Sequence, residues 1–197
     1  DSPQHTVVLS SDYYMCKYEV TRSLWYAIMN DSIVTEEGML PMTHITWNDA
    51  EAFTKKLNKL TGLPFSLPTE AQWEYAAAGG ESYPYAGSDN IRDVAYYASN
   101  ANERLHPVGE KRENGFDLYD MSGNAAEWCT DWMSRYENTR VTDPQGPAEN
   151  PGHHKKIVRG GSYLANEHDM DIRHRSVQTY DTSEPHIGFR VVLNPIQ

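Results

Sequence analysis

The apolar positions of this chain change rhythm several times, and each change marks an element. Thr6-Val7-Val8-Leu9 and the run 13–20 are rich in β-branched and aromatic residues. They flank Ser10-Ser11-Asp12, a turn-like cluster, so this region predicts a β-hairpin. From Thr21 the period lengthens. Leu24, Trp25 and Ile28 fall on one side of a short helix that Thr21 caps and that reaches Asn30. Residues 31–42, with Gly38 and Pro41, predict a loop. The clearest helix covers 47–60: Trp47, Ala50, Phe53, Leu57 and Leu60 recur at spacings of three and four, Thr46 caps it and Gly62 stops it. Thr69 and Gln72 form a capping-box pattern for another helix running to about Ala78, ended by Gly79-Gly80.

Beyond Gly80 the periodicity fades. Residues 81–114 carry Tyr83, Pro84, Tyr85, Gly87, Pro107 and Gly109 and predict packed loops, a length unusual in a compact domain unless the segment is functional or held by a ligand. Residues 114–132 predict a turn-rich entry followed by an aromatic strand, and 134–154 a polar loop punctuated by Pro144, Gly146, Pro147, Pro151 and Gly152. The closing stretch, 158–192, has strand-forming, frame-like ends around a polar, irregular middle. A rigid frame around a mixed surface is a common way to build a binding or reactive face. No repeat, low-complexity tract or linker divides the chain, and its 197 residues read as one domain.

Composition narrows the function classes. Aromatics are plentiful, with 13 Tyr and 5 Trp, which excludes the aromatic-poor disordered class. The formal net charge of −11 argues against nucleic acid as a partner, because such binders carry a basic patch. It equally disfavours adhesion to anionic membranes, and no run approaches the ~20 apolar residues of a membrane span. An acidic surplus fits a protein displayed outside the cytoplasm, on a cell surface or a virion, or a cation site, and most of it is accounted for by plain solubility. Cys16 and Cys129 lack metal-binding spacing; two separate buried thiols are expected, with a single disulfide as the alternative.

Four segments carry a family resemblance. They are Lys17-Tyr18-Glu19-Val20-Thr21; Leu67-Pro68-Thr69-Glu70-Ala71-Gln72-Trp73-Glu74-Tyr75-Ala76; Leu118-Tyr119-Asp120-Met121-Ser122-Gly123-Asn124 with Glu127-Trp128; and Arg159-Gly160-Gly161-Ser162 with Gly188-Phe189-Arg190. Together they resemble the formylglycine-generating enzyme (sulfatase-modifying factor) family. The resemblance implies an α+β, C-type lectin-like fold: a small twisted antiparallel sheet, two main helices and extensive ordered loops. Active members carry two copper-binding cysteines after the RGGS motif, a soft-ligand pair suited to Cu(I). The corresponding positions here are Ala165 and Met170, so the resemblance implies neither copper nor the oxidase reaction. Asp120, Gly123, Ala125 and Glu127 match positions that bind calcium in the family, and carboxylates with turn carbonyls suit that hard cation. The alternative is that Asp120 and Glu127 accept hydrogen bonds from turn amides.

The remaining chemistry is read from the residues themselves. Ser162 has no nucleophile-elbow context, and Gly160-Gly161 reads as a tight turn, not a phosphate cradle. Arg159, Arg173, Arg175 and Arg190 are expected to pair with acids and hold loops, with Arg173 or Arg175 on a ligand as the alternative. The frame with its variable-looking middle also resembles variable proteins of diversity-generating retroelements. The candidate ligand surface is Tyr163, Asn166, His168, Asp169, Arg173, His174, Arg175, Gln178, Tyr180, Asp181, Ser183, Glu184 and His186, a paratope-like mixture. The expected function is a non-catalytic module that binds a protein or glycan. The alternative is a divergent sulfatase-modifying-type enzyme or its inactive accessory paralogue.

Overall fold

Three threonine hydroxyls start the main helices. In the computed structural model, which describes residues 3–30, 32 and 37–195, Thr21 accepts the Leu24 N–H (3.2 Å) at the head of α1 (Arg22–Met29). Thr46 and Asp49 cap each other's backbone at the head of α2 (Trp47–Thr61). Thr69 and Gln72 do the same for α3 (Glu70–Ala78). Gly62 and Gly79 close α2 and α3 in the left-handed conformation, at φ 74° and 60°. A four-residue helix, α4 (Ile91–Val94), stands inside the long segment read as packed loop. Of the loop expected at 31–42, residues 31 and 33–36 lie outside the described residues.

The strands fall into three groups. We number them β1 (Val7–Val8), β2 (Tyr14–Met15), β3 (Phe65–Ser66), β4 (Ala126–Trp132), β5 (Val141–Thr142), β6 (Lys155–Arg159), β7 (Arg175–Thr179), β8 (Ile187–Gly188) and β9 (Val192–Leu193). The main sheet has the order β7-β6-β4-β8, and β2-β9-β3 form a second sheet. The main sheet is mixed: β6 is antiparallel to β4 and β7, whereas β8 runs parallel to β4. The expected N-terminal hairpin is not formed. β1 pairs in parallel with β5, inside the segment expected to be loop, and β2 pairs with β9. The turn-like cluster explains the difference, because Asp143 accepts both the N–H (2.8 Å) and the hydroxyl of Ser10. Those groups bind across the fold and do not close a local turn.

Both ends of the closing stretch dock on the central strand. Val158 of β6 lies opposite Trp128 of β4, and Ile187 of β8 lies beside Ala126. Behind this sheet, Phe53 of α2 stacks on Trp25 of α1 (centroids 5.5 Å) and meets Phe189 edge-on (5.3 Å). A second core cluster gathers Trp73, Met121, Cys129, Ile157 and Ile172, and a third gathers Ile91, Val94, Ala95, Tyr97 and Met170. The third cluster gives the long 81–114 segment its order without periodic structure. Cys129 is buried, Cys16 is half-buried, and both are free thiols. The pair is thus unbridged, with Cys16 less buried than expected.

Candidate functional site

The frame of the closing stretch is held by buried charge. Arg190 is fully buried, and its Nε donates to both oxygens of Glu127 (2.9 and 2.8 Å). Its Nη2 donates to Glu127 Oε1 (2.6 Å) and to the Tyr119 carbonyl (2.8 Å), and Nη1 to the Cys16 carbonyl (3.0 Å). The indole of Trp73 donates to Glu127 Oε2 at 2.6 Å. Close by, buried Glu19 accepts from the Ala125 N–H and the Asn124 amide, both at 2.8 Å. Burial, reinforced by the charges of Asp120 and Glu127, holds the Glu19 carboxyl well above the usual carboxylate range. Asp120 accepts the Gly109 N–H (2.7 Å), and its burial pushes its pKa up to about 6.

Of the four residues implied for calcium, the two carboxylates, Asp120 and Glu127, already accept hydrogen bonds from protein groups. Both oxygens of Glu127 face Arg190 and Trp73, and one oxygen of Asp120 is taken by Gly109. The cation that answers Glu127 is a guanidinium. Among the described residues no set of three His, Cys, Asp or Glu side chains is placed to hold a metal.

The RGGS motif turns directly onto this frame. The Gly123 N–H donates to the Gly160 carbonyl (2.8 Å), so two motifs far apart in sequence share one hydrogen bond. Arg159, buried, donates to the carbonyls of His174 (2.7 Å) and Ile172 (3.1 Å) and pairs with Glu74. Arg175 holds Glu70 through two hydrogen bonds (2.8 and 2.7 Å) and the Ser134 carbonyl through a third (2.6 Å). Arg173 alone stays outside, 3.6 Å from Asp171 at the surface.

Ala165 and Met170 meet in the third core cluster. Met170 is fully buried, and Ala165 packs half-buried against the same group. Met170 lies beneath Gly161, where a Cβ would come within 2.1 Å of the methionine Cε. Gly161 is also at φ +67°, so both space and backbone demand glycine. The Met170 carbonyl accepts the Ser122 hydroxyl (2.9 Å). The Ser162 hydroxyl accepts the Leu164 N–H (3.3 Å), a local turn bond.

The candidate ligand residues comprise an interior pair, Tyr163 and Arg175, and two exposed or half-buried groups along β7. Tyr163 is buried and belongs to the frame: its N–H donates to the Asn124 carbonyl (2.8 Å), and its ring follows the RGGS turn into the core. Arg175 is bound to Glu70. The rest divide between the two ends of β7, an edge strand spanning roughly 13 Å at ~3.3 Å per residue. At one end, Asn166, His168, Asp169, Arg173 and His174 surround a short 3-10 turn, Glu167–Met170. His168 meets His174 edge-on (5.4 Å), and His174 Nε2 lies 3.5 Å from Asp169. Partial burial lowers the His174 pKa, with Asp169 opposing. At the other end are Gln178, Tyr180, Asp181, Ser183, Glu184 and His186. There Gln178 donates to Glu184 (2.8 Å), and burial lowers the His186 pKa.

Residues from outside the stretch complete that second end. Trp132 meets Tyr180 edge-on (5.4 Å), and His154 stacks on it at 6.1 Å. The Trp47 N–H donates to the Tyr180 carbonyl (2.9 Å). The Lys156 ammonium lies 4.1 Å from the ring centre of Trp47 and 3.8 Å from that of Trp132. Sequence reasoning placed Trp47 and Trp132 in a helix and a strand and missed this meeting, because only the β4–β6 register brings Lys156 opposite Trp132.

Comparison with known proteins places this geometry. Residues 1–195 match the model of the sulfatase-modifying factor enzyme 1-like domain. The chain is 36% identical over 179 residues to the formylglycine-generating enzyme of Streptomyces coelicolor, covering 81% of this chain and 54% of that enzyme. It therefore spans about half the length of that relative. It is 28% identical over 239 residues to chaperone protein LppX of Paenibacillus barcinonensis, covering 94% of this chain and 81% of the relative. Among solved structures, Treponema denticola variable protein 1 superposes with a TM-score of 0.89 at 27% identity, covering 97% of this chain and 87% of that one. PvdO from Pseudomonas aeruginosa shares the fold, with a TM-score of 0.84 at 22% identity over 98% and 85% of the two chains. The interlocked RGGS, GFR and SGN motifs, with a family match over nearly every residue, make this chain a member of the formylglycine-generating enzyme (sulfatase-modifying factor) family with a C-type lectin-like fold.

Proposed function

We propose that this domain is a non-catalytic ligand-binding module. The observation that carries the reading is the filled position after the RGGS turn. Ala165 offers no ligand atom, and Met170 is a neutral thioether packed with Ile91, Val94, Ala95 and Tyr97. A copper–thiolate site needs two deprotonated sulfurs and an open coordination position, and an apolar plug supplies neither. The likeness to Treponema denticola variable protein 1 supports the same reading, since that structure covers nearly the whole chain. In this view the side chains at the two ends of β7 are the presented surface, the partner is a protein or glycan, and display is outside the cytoplasm. No helix among the described residues is long and apolar enough to cross a membrane.

The diversity-generating version of this reading makes a genetic prediction. A near-copy of the coding sequence for residues 159–190, differing at adenines and lying beside a reverse transcriptase, is the expected surroundings of the gene. Its absence removes diversification and leaves the binding module. The second reading, a divergent sulfatase-modifying-type enzyme, draws on the identity to the Streptomyces enzyme. The decisive assay incubates the protein, copper and oxygen with a sulfatase peptide containing the target cysteine, read by mass. No conversion is expected; formation of formylglycine would sink the non-catalytic proposal.

A further inference from the structure

Strand β7 ends the main sheet, and the register across β6 says which of its backbone groups face away. The Tyr180 N–H donates to the His154 carbonyl (3.1 Å), while the neighbouring Lys155 carbonyl accepts from Met133 on the other side (2.9 Å). Alternation along an antiparallel ladder therefore turns the backbone of Ser176 and Gln178 toward β6. It turns that of Arg175, Val177 and Thr179 outward. Thr182 occupies the Thr179 carbonyl. Among the described residues no hydrogen bond answers the backbone N–H and C=O of Val177. Folded proteins ordinarily blunt such an edge with a short strand, proline, lysine or a bulge. The other strands that end a sheet among the described residues are two residues long. β7 has five, pairs with β6 without a bulge, and contains neither proline nor lysine. Its single charge is withdrawn, because Arg175 is bound to Glu70.

The sequence on this edge complements itself. Pairing β7 antiparallel with its own copy about Val177 sets Val177 against Val177, Ser176 against Gln178 and Arg175 against Thr179. Two residues beyond each end, the same register sets Arg173 beside Asp181, and both are exposed. Opposite charges across a strand pair favour it, and like charges oppose it. A twofold axis through Val177 makes each of these contacts occur twice. Centring the pair on Arg175 or Thr179 instead would set Arg173 against Val177 or Pro185. The charge match thus selects one register, and it selects a second copy as the occupant of the edge.

We infer that two copies of this chain join through β7, antiparallel about Val177, so that their two main sheets become one. Each junction then places the His168–His174 end of one copy beside the Tyr180–Asp181 end of the other. That such a junction is a composite ligand surface rests on the function proposed above; the dimer itself does not. A five-residue edge with its flanking turns is small beside the ~1,600 Å² of a standard interface, so the association is weak.

Sedimentation velocity without any ligand, across roughly 1–500 μM, tests the dimer separately from the binding function. A rise from monomer to dimer and no further is expected, because the twofold pairing consumes the open edge. Val177→Pro removes the central outward N–H at a position where an edge strand tolerates proline, and should stay monomeric. Arg173→Asp and Asp181→Arg, each alone, bring like charges together at both junctions and should weaken self-association about tenfold or more. Mixed one to one, these two variants face each other with opposite charges at both junctions and should pair as the parent does. A parent that stays monomeric throughout, or that grows beyond a dimer, would overturn the inference. So would undiminished pairing in either charge variant or in folded Val177→Pro, or a mixture that pairs no better than its components.

Discussion

Replacing Arg190 by methionine tests the account of the frame most directly. Methionine keeps an unbranched apolar stem of similar reach but removes the guanidinium. Three hydrogen bonds to Glu127 go with it, together with those to the carbonyls of Tyr119 and Cys16. Glu127 is left buried beside Glu19 and Asp120 with no cation among them. Breaking one side of a buried ion pair costs about 3–5 kcal/mol, because the other charge stays desolvated. Each orphaned carbonyl adds about 1 kcal/mol. The sum is comparable with the whole stability of an ordinary domain, ~5–15 kcal/mol. Urea unfolding, followed by tryptophan fluorescence, should place the midpoint of Arg190→Met far below the parent's.

The same variant carries a signature in pH. Glu19 and Asp120 already sit above the usual carboxylate range because of burial. Carboxyls raised in the fold favour it at low pH and oppose it as pH rises through their folded values. Without Arg190 this opposition grows, so lowering the pH from 8 to about 5 should recover more stability in the variant than in the parent. A loss below about 1 kcal/mol, or the same loss at both pH values, would refute Arg190 as the counter-ion of this cluster.

Three further outcomes follow from the geometry. Gly161→Ala meets Met170 Cε at 2.1 Å and the Asp169 carbonyl at 2.7 Å, whereas Gly62→Ala meets nothing within 4 Å. Both sit at positive φ, so thermal melts should show ~1 kcal/mol lost at Gly62 and at least twice that at Gly161, and equal losses would contradict the packing argument. Asp131, buried and raised to about 6, opposes folding as pH climbs from its ordinary 3.8 through that value. Asp131→Asn keeps an acceptor for the Glu70 N–H, and should flatten the stability profile between pH 4 and 6 by about 2–3 kcal/mol, measured by urea titration. Because Arg190 answers Glu127, a calcium chelator should leave the melting temperature where it was; a fall of several degrees would return the ion to this site.

The parts legible in the sequence were those governed by short-range chemistry. Thr21, Thr46 and Thr69 each cap the helix expected of them, since a hydroxyl and the amide three residues on are already neighbours in the chain. The RGGS and GFR ends also read correctly as frame. What failed depended on distant partners. The hairpin was inferred from two β-rich runs, yet each run found its mate more than a hundred residues away, at Val141 and at Leu193. Tyr163 looked like a contact residue by type; its position one step after a buried turn decided otherwise. The order in residues 81–114 was invisible because it comes from Met170 and α4 packing into a shared cluster, which no local period encodes.

That division also predicts which positions of the closing stretch tolerate exchange. The two ends of 158–192 are bonded to β4, and Arg159 reaches from the frame to hold the His174 and Ile172 carbonyls. The loop is therefore gripped by its backbone, through groups that every residue possesses. Side chains such as His168, Arg173, Asp181 and Ser183 contribute little to that grip, and exchanging them should cost no more than ~0.5 kcal/mol apiece. Tyr163, Met170 and Arg175 are different, because each fills space or answers a charge inside the fold. A library that varies the first group and keeps the second should yield mostly folded proteins by protease resistance, and the reverse library mostly unfolded ones. If both libraries folded equally often, the distinction between presented and structural positions drawn from this geometry would be wrong.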